Sequence, residues 1–362
     1  MGWYDTAWKY RVTITSQSAK VDAAVSNVYL DLASMPAGFW SHVQDGGGDI
    51  RITQADGETE VAREVVSCDT GAQTGEVHFD ATGIQTGSDV DWYVYYGNAG
   101  ASDYAEDHAY GRENVWDANH IMVQHLSEDP TSGVGKEAVD STANDTDGDT
   151  NGSMTSGDLV DGQIGDGWDF DGSNDYVSLP VRSFSDEICI MAWANGDTNA
   201  APMCIASMGS VAANAYMLTL YYDASKDIYW RIGTPGDDNY GVDVAVPTGS
   251  WSHIVGRYDG ATQDIFLNGA KQGAGSAASG NLYGSSTYQS IGEYYTTHLN
   301  RFNGALDELR VLNVAPSDNE ISTWYNNQSD PGAFWAVGDE EALPAFERPF
   351  RQAFEAAFSP AL

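Results

Sequence analysis

The chain is short of positive charge. Lys and Arg number 16 against 53 Asp and Glu, for a net charge of −37 over 362 residues. So uniform an acidic surface repels phosphate, and it opposes binding to nucleic acid or anionic membrane. No stretch approaches the ~18 consecutive apolar residues of a membrane-crossing helix, so membrane insertion is not expected. Cysteines number three (Cys68, Cys189 and Cys204), an odd count that excludes a complete disulfide framework. Buried free thiols are the expectation, with a Cys189–Cys204 pair as the alternative. The opening Met1-Gly-Trp-Tyr-Asp-Thr-Ala-Trp8 lacks the basic and apolar regions of a secretion signal. Catalytic signatures are missing too, with no GxSxG elbow, P-loop or HExxH. The seven histidines are scattered, none at zinc-ligand spacing near a cysteine pair. They are expected to be surface or core residues, and no enzymatic activity is expected.

What is present reads as all-β. Hydrophobic residues make up 42% and aromatics 12%, and 39 glycines punctuate short apolar runs. The length suggests two domains. Most acids are Asp and most bases Arg. Such a surface stays hydrated at molar salt, where the Debye length shrinks to ~3 Å and self-repulsion costs little. A halophilic source is therefore expected.

Strand signals in the first hundred residues are Trp8–Thr15, Val28–Leu32, Asp49–Thr53, Glu60–Val66, Gly75–Phe79 and Asp91–Asn98. Residues 127–166, rich in Asp, Gly, Ser and Thr, read as a long loop. Strands then follow at Glu187–Trp193, Tyr216–Tyr222, Asp227–Ile232, Ser252–Tyr258 and Gln263–Leu267. Asn268-Gly269 signals a type I′ hairpin. Ser317 to Tyr325 reads as a short helix with Ser317 as N-cap and Glu320 completing a capping box. Phe346, Phe350, Phe354 and Phe358 recur every four residues and predict a short helical anchor.

Two resemblances add to this. Trp8, Tyr10, Arg11, Phe39, Trp40, Gly48-Asp-Ile-Arg51, Arg63-Glu-Val65 and Tyr95-Tyr-Gly-Asn98 resemble a family known only as a domain of unknown function, found ahead of laminin-G-like domains in prokaryotic surface and tailed-virus proteins. Trp168-Asp-Phe-Asp-Gly-Ser-Asn-Asp-Tyr-Val177, Trp251–Gly260 and Gly304-Ala-Leu-Asp-Glu-Leu-Arg-Val311 resemble a laminin-G-like, concanavalin A-type sandwich. The expected organisation is a small sandwich over 1–105, a concanavalin A-like jelly roll over 106–338 and an anchor segment over 339–362.

The second resemblance implies a structural Ca²⁺ held by Asp171, Asn174 or Asp175, and Asp307. Asp147, Asp149, Asn151, Gly152 and Asp158 also match calcium-loop spacing, but without flanking helices they read as a solvated loop. Sugar recognition needs rings that stack on a pyranose beside polar groups that read its hydroxyls. Tyr240, and Tyr283, Tyr288, Tyr294 and Tyr295 with Asn300 and Arg301, offer both. For hydrolysis, Asp307-Glu308 are expected on opposite strand faces, and Asp56, Glu58 and Glu60 alternate on one face but lie at a Gly-containing turn of the first unit, so hydrolysis is not expected.

These features together point to a non-enzymatic recognition or display protein. The leading expectation is a virion surface protein (tail fibre, spike or capsid decoration) of a tailed virus of a halophilic microbe. It would bind a cell-surface glycan or glycoprotein, join other virion proteins through its Phe stripe, and form a homo-oligomer. A secreted or cell-surface adhesin with a carbohydrate-binding module is the alternative, and a glycoside hydrolase the third.

Overall fold

A computed structural model describes residues 2–184, 186–197, 203–208, 216–219, 228–234, 237–240, 244–278, 280, 282, 288–294 and 300–344. Among the described residues, four antiparallel sheets make two stacked sandwiches. In the first, a five-stranded sheet runs in the order Trp335–Ala342, Tyr10–Ser16, Val90–Tyr96, Arg51–Gln54, Glu60–Val61. It packs on a three-stranded sheet of Asn27–Asp31, Thr74–Asp80 and Arg63–Asp69. Alternation does the sorting. Val12, Ile14, Ile52, Trp92 and Val94 share one core with Val28, Leu30, Val77 and Phe79. Each such burial contributes about 1.5–3 kcal/mol.

The phrases that resemble the unknown-function family form one tie. The Asp49 carboxylate accepts from the amides of Gly97 and Asn98 at 2.7 and 3.0 Å, while Arg51 donates to the carbonyls of Gly48 and Ser102. The strand expected up to Thr53 runs Arg51–Gln54, and ahead of it Ala37–His42 is a short helix, not anticipated, with Phe39 and Trp40 buried.

The second sandwich opposes an eight-stranded sheet and a seven-stranded sheet. At the centre of the first, Asn303–Leu312 lies between Asp166–Asp171 and Ile188–Gly196, and also pairs with His120–Gln124. The seven-stranded sheet includes Gln289–Ile291 and Tyr176–Leu179. Trp168, Phe170, Ile190, Trp230, Ile254, Leu306 and Leu309 fill the space between. Asn268 and Gly269 take φ of +50° and +76°, giving the expected hairpin between Thr262–Leu267 and Ala270–Ala277. All three cysteines are free and buried. The span 127–166 is not one open loop. It contributes strands Asp149–Asn151 and Leu159–Asp161, and Asp147, Asp149 and Asp158 accept hydrogen bonds from backbone amides instead of converging.

The helix foreseen from Ser317 runs Asp318–Ser329, with Ser317 and Glu320 in the predicted capping box. It wedges between the sandwiches. Its Ile321 and Trp324 join a core that holds Met191 and Val255 of the second sandwich as well as Val77 of the first. Asn327 bonds both the amide and the carbonyl of Tyr29, at 2.7 and 2.8 Å.

The boundary expected at 338/339 falls inside a strand. Trp335–Ala342 returns to the first sandwich and pairs antiparallel with Tyr10–Ser16, and Arg11 pairs with Glu341 at 2.8 Å. Residues 339–342 therefore belong to the first sheet and not to an anchor. The Phe stripe (Phe346, Phe350, Phe354, Phe358) lies outside the described residues.

Candidate functional site

The carboxylates expected to hold calcium do not converge. Asp171 ends its strand opposite Asn303, whereas Asp307 lies four residues further along that neighbour, about 13 Å away at the rise of an extended strand. Asp171 Oδ1 accepts from the amides of Ser173, Asn174 and Asp175, at 2.7, 3.0 and 3.3 Å. Burial opposes ionisation of Asp171, but these amides outweigh it and hold the carboxyl below its usual range. Asp175 accepts from Ser153 and Asp171, and Asn174 Oδ1 accepts from the Ser153 hydroxyl. This is a self-satisfied turn, and the four-residue calcium set of Asp171, Asn174, Asp175 and Asp307 is corrected accordingly.

The Tyr-rich stretch is partly assembled. Glu293, fully buried, pairs with Arg301 Nη2 at 3.1 Å and accepts from the Tyr288 hydroxyl. Burial first, then Glu293, push the Tyr288 phenol above its ordinary range. The Arg301 guanidinium lies 4.9 Å over the ring of Tyr176, a residue the sequence reading did not single out. Tyr176, Tyr288 and Arg301 are each half-buried, so rings and cation reach the surface around a buried anion. Tyr294 instead meets Arg231, hydroxyl to Nη1 at 3.4 Å. Asn300 has φ +54° and its carbonyl accepts from the Cys204 amide, so its backbone shapes the turn. Only the backbone of Tyr240 is described, and Tyr283 and Tyr295 lie outside the described residues.

A third constellation lies between the sandwiches, and sequence reasoning missed it. On the strand Thr74–Asp80, Val77 and Phe79 enter the core, so Glu76 and His78 face outward, toward the second sandwich. Glu64 stands opposite His78 on the neighbouring strand. From the other side come His125, just past His120–Gln124, and Asp307, Glu308 and Arg310 of Asn303–Leu312. The expectation that Asp307 and Glu308 point to opposite faces fails because of a bulge. Arg310 faces Met191 and Asp307 faces Trp193, which leaves Glu308 and Leu309 both opposite Ala192. Glu308 takes φ +53°, costly for a residue with a Cβ by about 1–3 kcal/mol. Leu306 and Leu309 stay in the core while both acids turn toward the first sandwich.

The resulting contacts are close. His78 Nε2 lies 2.8 Å from Glu76 Oε1 and 3.7 Å from Glu308 Oε1. His125 Nδ1 lies 3.5 Å from Glu76 Oε1 and pairs with Glu308 Oε1. The two imidazoles stack with centroids 4.6 Å apart. Around them, Glu64 Oε2 meets His125 Nε2 at 3.3 Å and accepts from Trp116 Nε1, while Glu64 Oε1 accepts from Ser141. Glu308 Oε2 accepts from Arg310 and from Gln328. Burial pushes the Glu76 carboxyl up to about 8 and raises Asp307, with Glu308 adding to both. Burial keeps His78 neutral. Burial also opposes charge on Glu308 and His125, but their mutual attraction prevails, so Glu308 falls and His125 rises. A polar cleft of about 320 Å³ between the sandwiches reaches His125, lined also by Arg63, Glu64, Asp103, Glu128 and Ser141.

No curated protein matches the sequence. Among solved structures, domain 4 of AbnA, a GH43 extracellular arabinanase from Geobacillus stearothermophilus in complex with arabinotriose, is 16% identical with TM-score 0.44, over 58% of this chain and 100% of that domain. The binding domain of Paraclostridial Mosquitocidal Protein 1 is 13% identical with TM-score 0.43, over 57% and 52%. The receptor-binding domain of botulinum neurotoxin C/D mosaic serotype is 11% identical with TM-score 0.44, over 58% and 51%. The chain thus spans about half the length of the two toxin domains. Residues 171–322 match the model of the concanavalin A-like lectin/glucanases superfamily, which identifies a concanavalin A-like lectin domain within the second sandwich.

Proposed function

We propose that the chain is a non-enzymatic recognition protein whose second sandwich binds glycan or glycoprotein at the patch formed by Tyr176, Tyr288 and Arg301. The observation that carries this reading is the buried Glu293. It fixes Arg301 and Tyr288 at the surface of a lectin-like sandwich, beside a further half-buried ring. Rings held this way lose little entropy on stacking against a sugar, and a fixed guanidinium reads hydroxyls or a carboxylate. Glu293 itself is committed to an ion pair and a phenol, which suits it to positioning and not to proton transfer.

The finer reading is display on the surface of a virion from a halophile, with the acidic surface facing brine. It rests on the charge of −37 and the resemblance of the first hundred residues. Screening the full chain on a glycan array and titrating hits by calorimetry tests the binding. Arg301→Ala and Tyr176→Ala should each weaken a hit at least about tenfold, the range of a lost charged hydrogen bond or stacked ring. An array without hits, or variants that bind like the parent, overturns the assignment. Release of reducing sugar from a bound polysaccharide would replace it with hydrolysis.

A further inference from the structure

We propose that Glu76, His78, His125 and Glu308 form a buried binding site for one divalent transition-metal ion, best matched by Zn²⁺, that clamps the two sandwiches together. Nothing in the lectin-like family match reaches these residues as a group, since Glu76, His78 and His125 all precede residue 171. The inference is also independent of glycan binding.

Geometry comes first. One ligand atom from each residue lies within 4.8 Å of all the others. Three of the edges measure 2.8, 3.5 and 3.7 Å. A tetrahedral zinc with bonds of ~2.0–2.2 Å places its ligands ~3.3–3.5 Å apart, so two of these edges already match, and the two hydrogen-bonded contacts, His78 with Glu76 and His125 with Glu308, would open to admit the ion. The donors arrive from two sheets of two sandwiches, and none is more than 3% exposed. Gly165 leaves room for the arrangement, because a Cβ there would stand 2.4 Å from Glu76 Oε2.

The surroundings match what orients metal ligands. His125 presents Nδ1 inward while its Nε2 faces Glu64, and Glu64 is fixed in turn by Trp116 and Ser141. Glu308 presents Oε1 inward while its second oxygen accepts from Arg310 and Gln328. Asp307 Oδ1, on the strand that carries Glu308, is buried with no hydrogen-bond partner. Two imidazoles and two carboxylates suit zinc, cobalt or iron. Calcium, which takes six to eight oxygens, does not fit. Four protein ligands without an open position mark a structural and not a catalytic site. The cleft that reaches His125 supplies a path for the ion.

The test uses the full chain, expressed in zinc-supplemented medium and purified without a metal-affinity step. Mass-spectrometric metal analysis should find about one zinc per chain, falling below about a tenth in His78→Ala and Glu308→Ala. Cobalt added after chelation should give the visible bands of a four-coordinate nitrogen–oxygen site. Dipicolinate should lower the melting temperature of the parent. A folded parent that carries no metal and shows no change of melting temperature with added Zn²⁺ overturns the proposal and leaves a hydrogen-bonded network. So does a folded variant that keeps its zinc. Where the variants fail to fold, the stoichiometry and cobalt spectrum of the parent decide.

Discussion

Two acidic clusters in this chain behave in opposite ways. At the turn after Asp166–Asp171, the carboxylate of Asp171 is answered by the amides two to four residues on, and that of Asp175 by the amides of Asp171 and of Ser153 on the adjoining loop. Between the sandwiches, Glu64, Glu76, Asp307 and Glu308 sit on or beside strands, where the ladders occupy most neighbouring amides. Asp307 still finds one amide, that of Ile164, but Glu64, Glu76 and Glu308 are answered by side chains: Arg310, His78, His125, Trp116 and Ser141. Aspartates in a turn can create their own partners, since a short side chain reaches the free amides of its own loop. Acids on a strand need a cation from elsewhere in the fold, so their positions record a long-range commitment.

The largest effect should come from removing the one guanidinium inside the strand cluster. Arg310→Met leaves Glu308 Oε2 buried without its guanidinium, with only His125 as a cation on Oε1, and Asn27 without its bond from Nη1. It should cost about 3–5 kcal/mol in urea denaturation. If it costs no more than a surface substitution, the cluster does not couple the sandwiches. Next, Glu64→Gln should preserve the fold but weaken Zn²⁺ binding about 10- to 100-fold in competition with a chromophoric chelator, as removal of a ligand-orienting carboxylate does. An unchanged affinity would mean that His125 needs no orientation.

At the turn, Asp175→Ala leaves the amides of Ser153 and Asp171 without their acceptor and should cost about 1–3 kcal/mol by the same denaturation. Asp171→Ala, at a more exposed position, should cost no more than about 1 kcal/mol. Its melting temperature should respond to chelators as the parent's does. A response confined to the parent would return a cation to Asp171 and erase the contrast.

Much of the frame was legible in the sequence. Alternation located the strands, Asn268-Gly269 the hairpin and Ser317 with Glu320 the helix start, because each signal is local. The concanavalin A-like sandwich was legible from the phrases around Asp171, Tyr258 and Leu306. The buried cluster was not. His78 and His125 lie far apart in sequence, and docking of two sheets brings them together. The available hint was Glu76-Val-His78-Phe79, in which an acid and a histidine share the face opposite two core residues. Asp307-Glu308 misled because strict alternation assumes an unbulged strand, and nothing local announces that Glu308 takes a left-handed φ. The closing strand was overlooked because Asp339, Glu340 and Glu341 dilute its pattern. Glu341 meets Arg11, and Glu340 meets His42 and the Tyr96 hydroxyl, all more than two hundred residues earlier.

That closing strand also sets a timetable for biosynthesis. Tyr10–Ser16 takes Val90–Tyr96 on one side, but its other edge waits for Trp335–Ala342. At the ~5–20 residues per second of translation, the wait from Tyr96 to Ala342 is roughly 12–50 s. Throughout it the nascent first sandwich presents an open strand to every other nascent chain on the polysome. A sequence that closes its first sheet so late must keep that edge unattractive to copies of itself, and a net charge of −37 supplies repulsion between nascent copies that works in that direction.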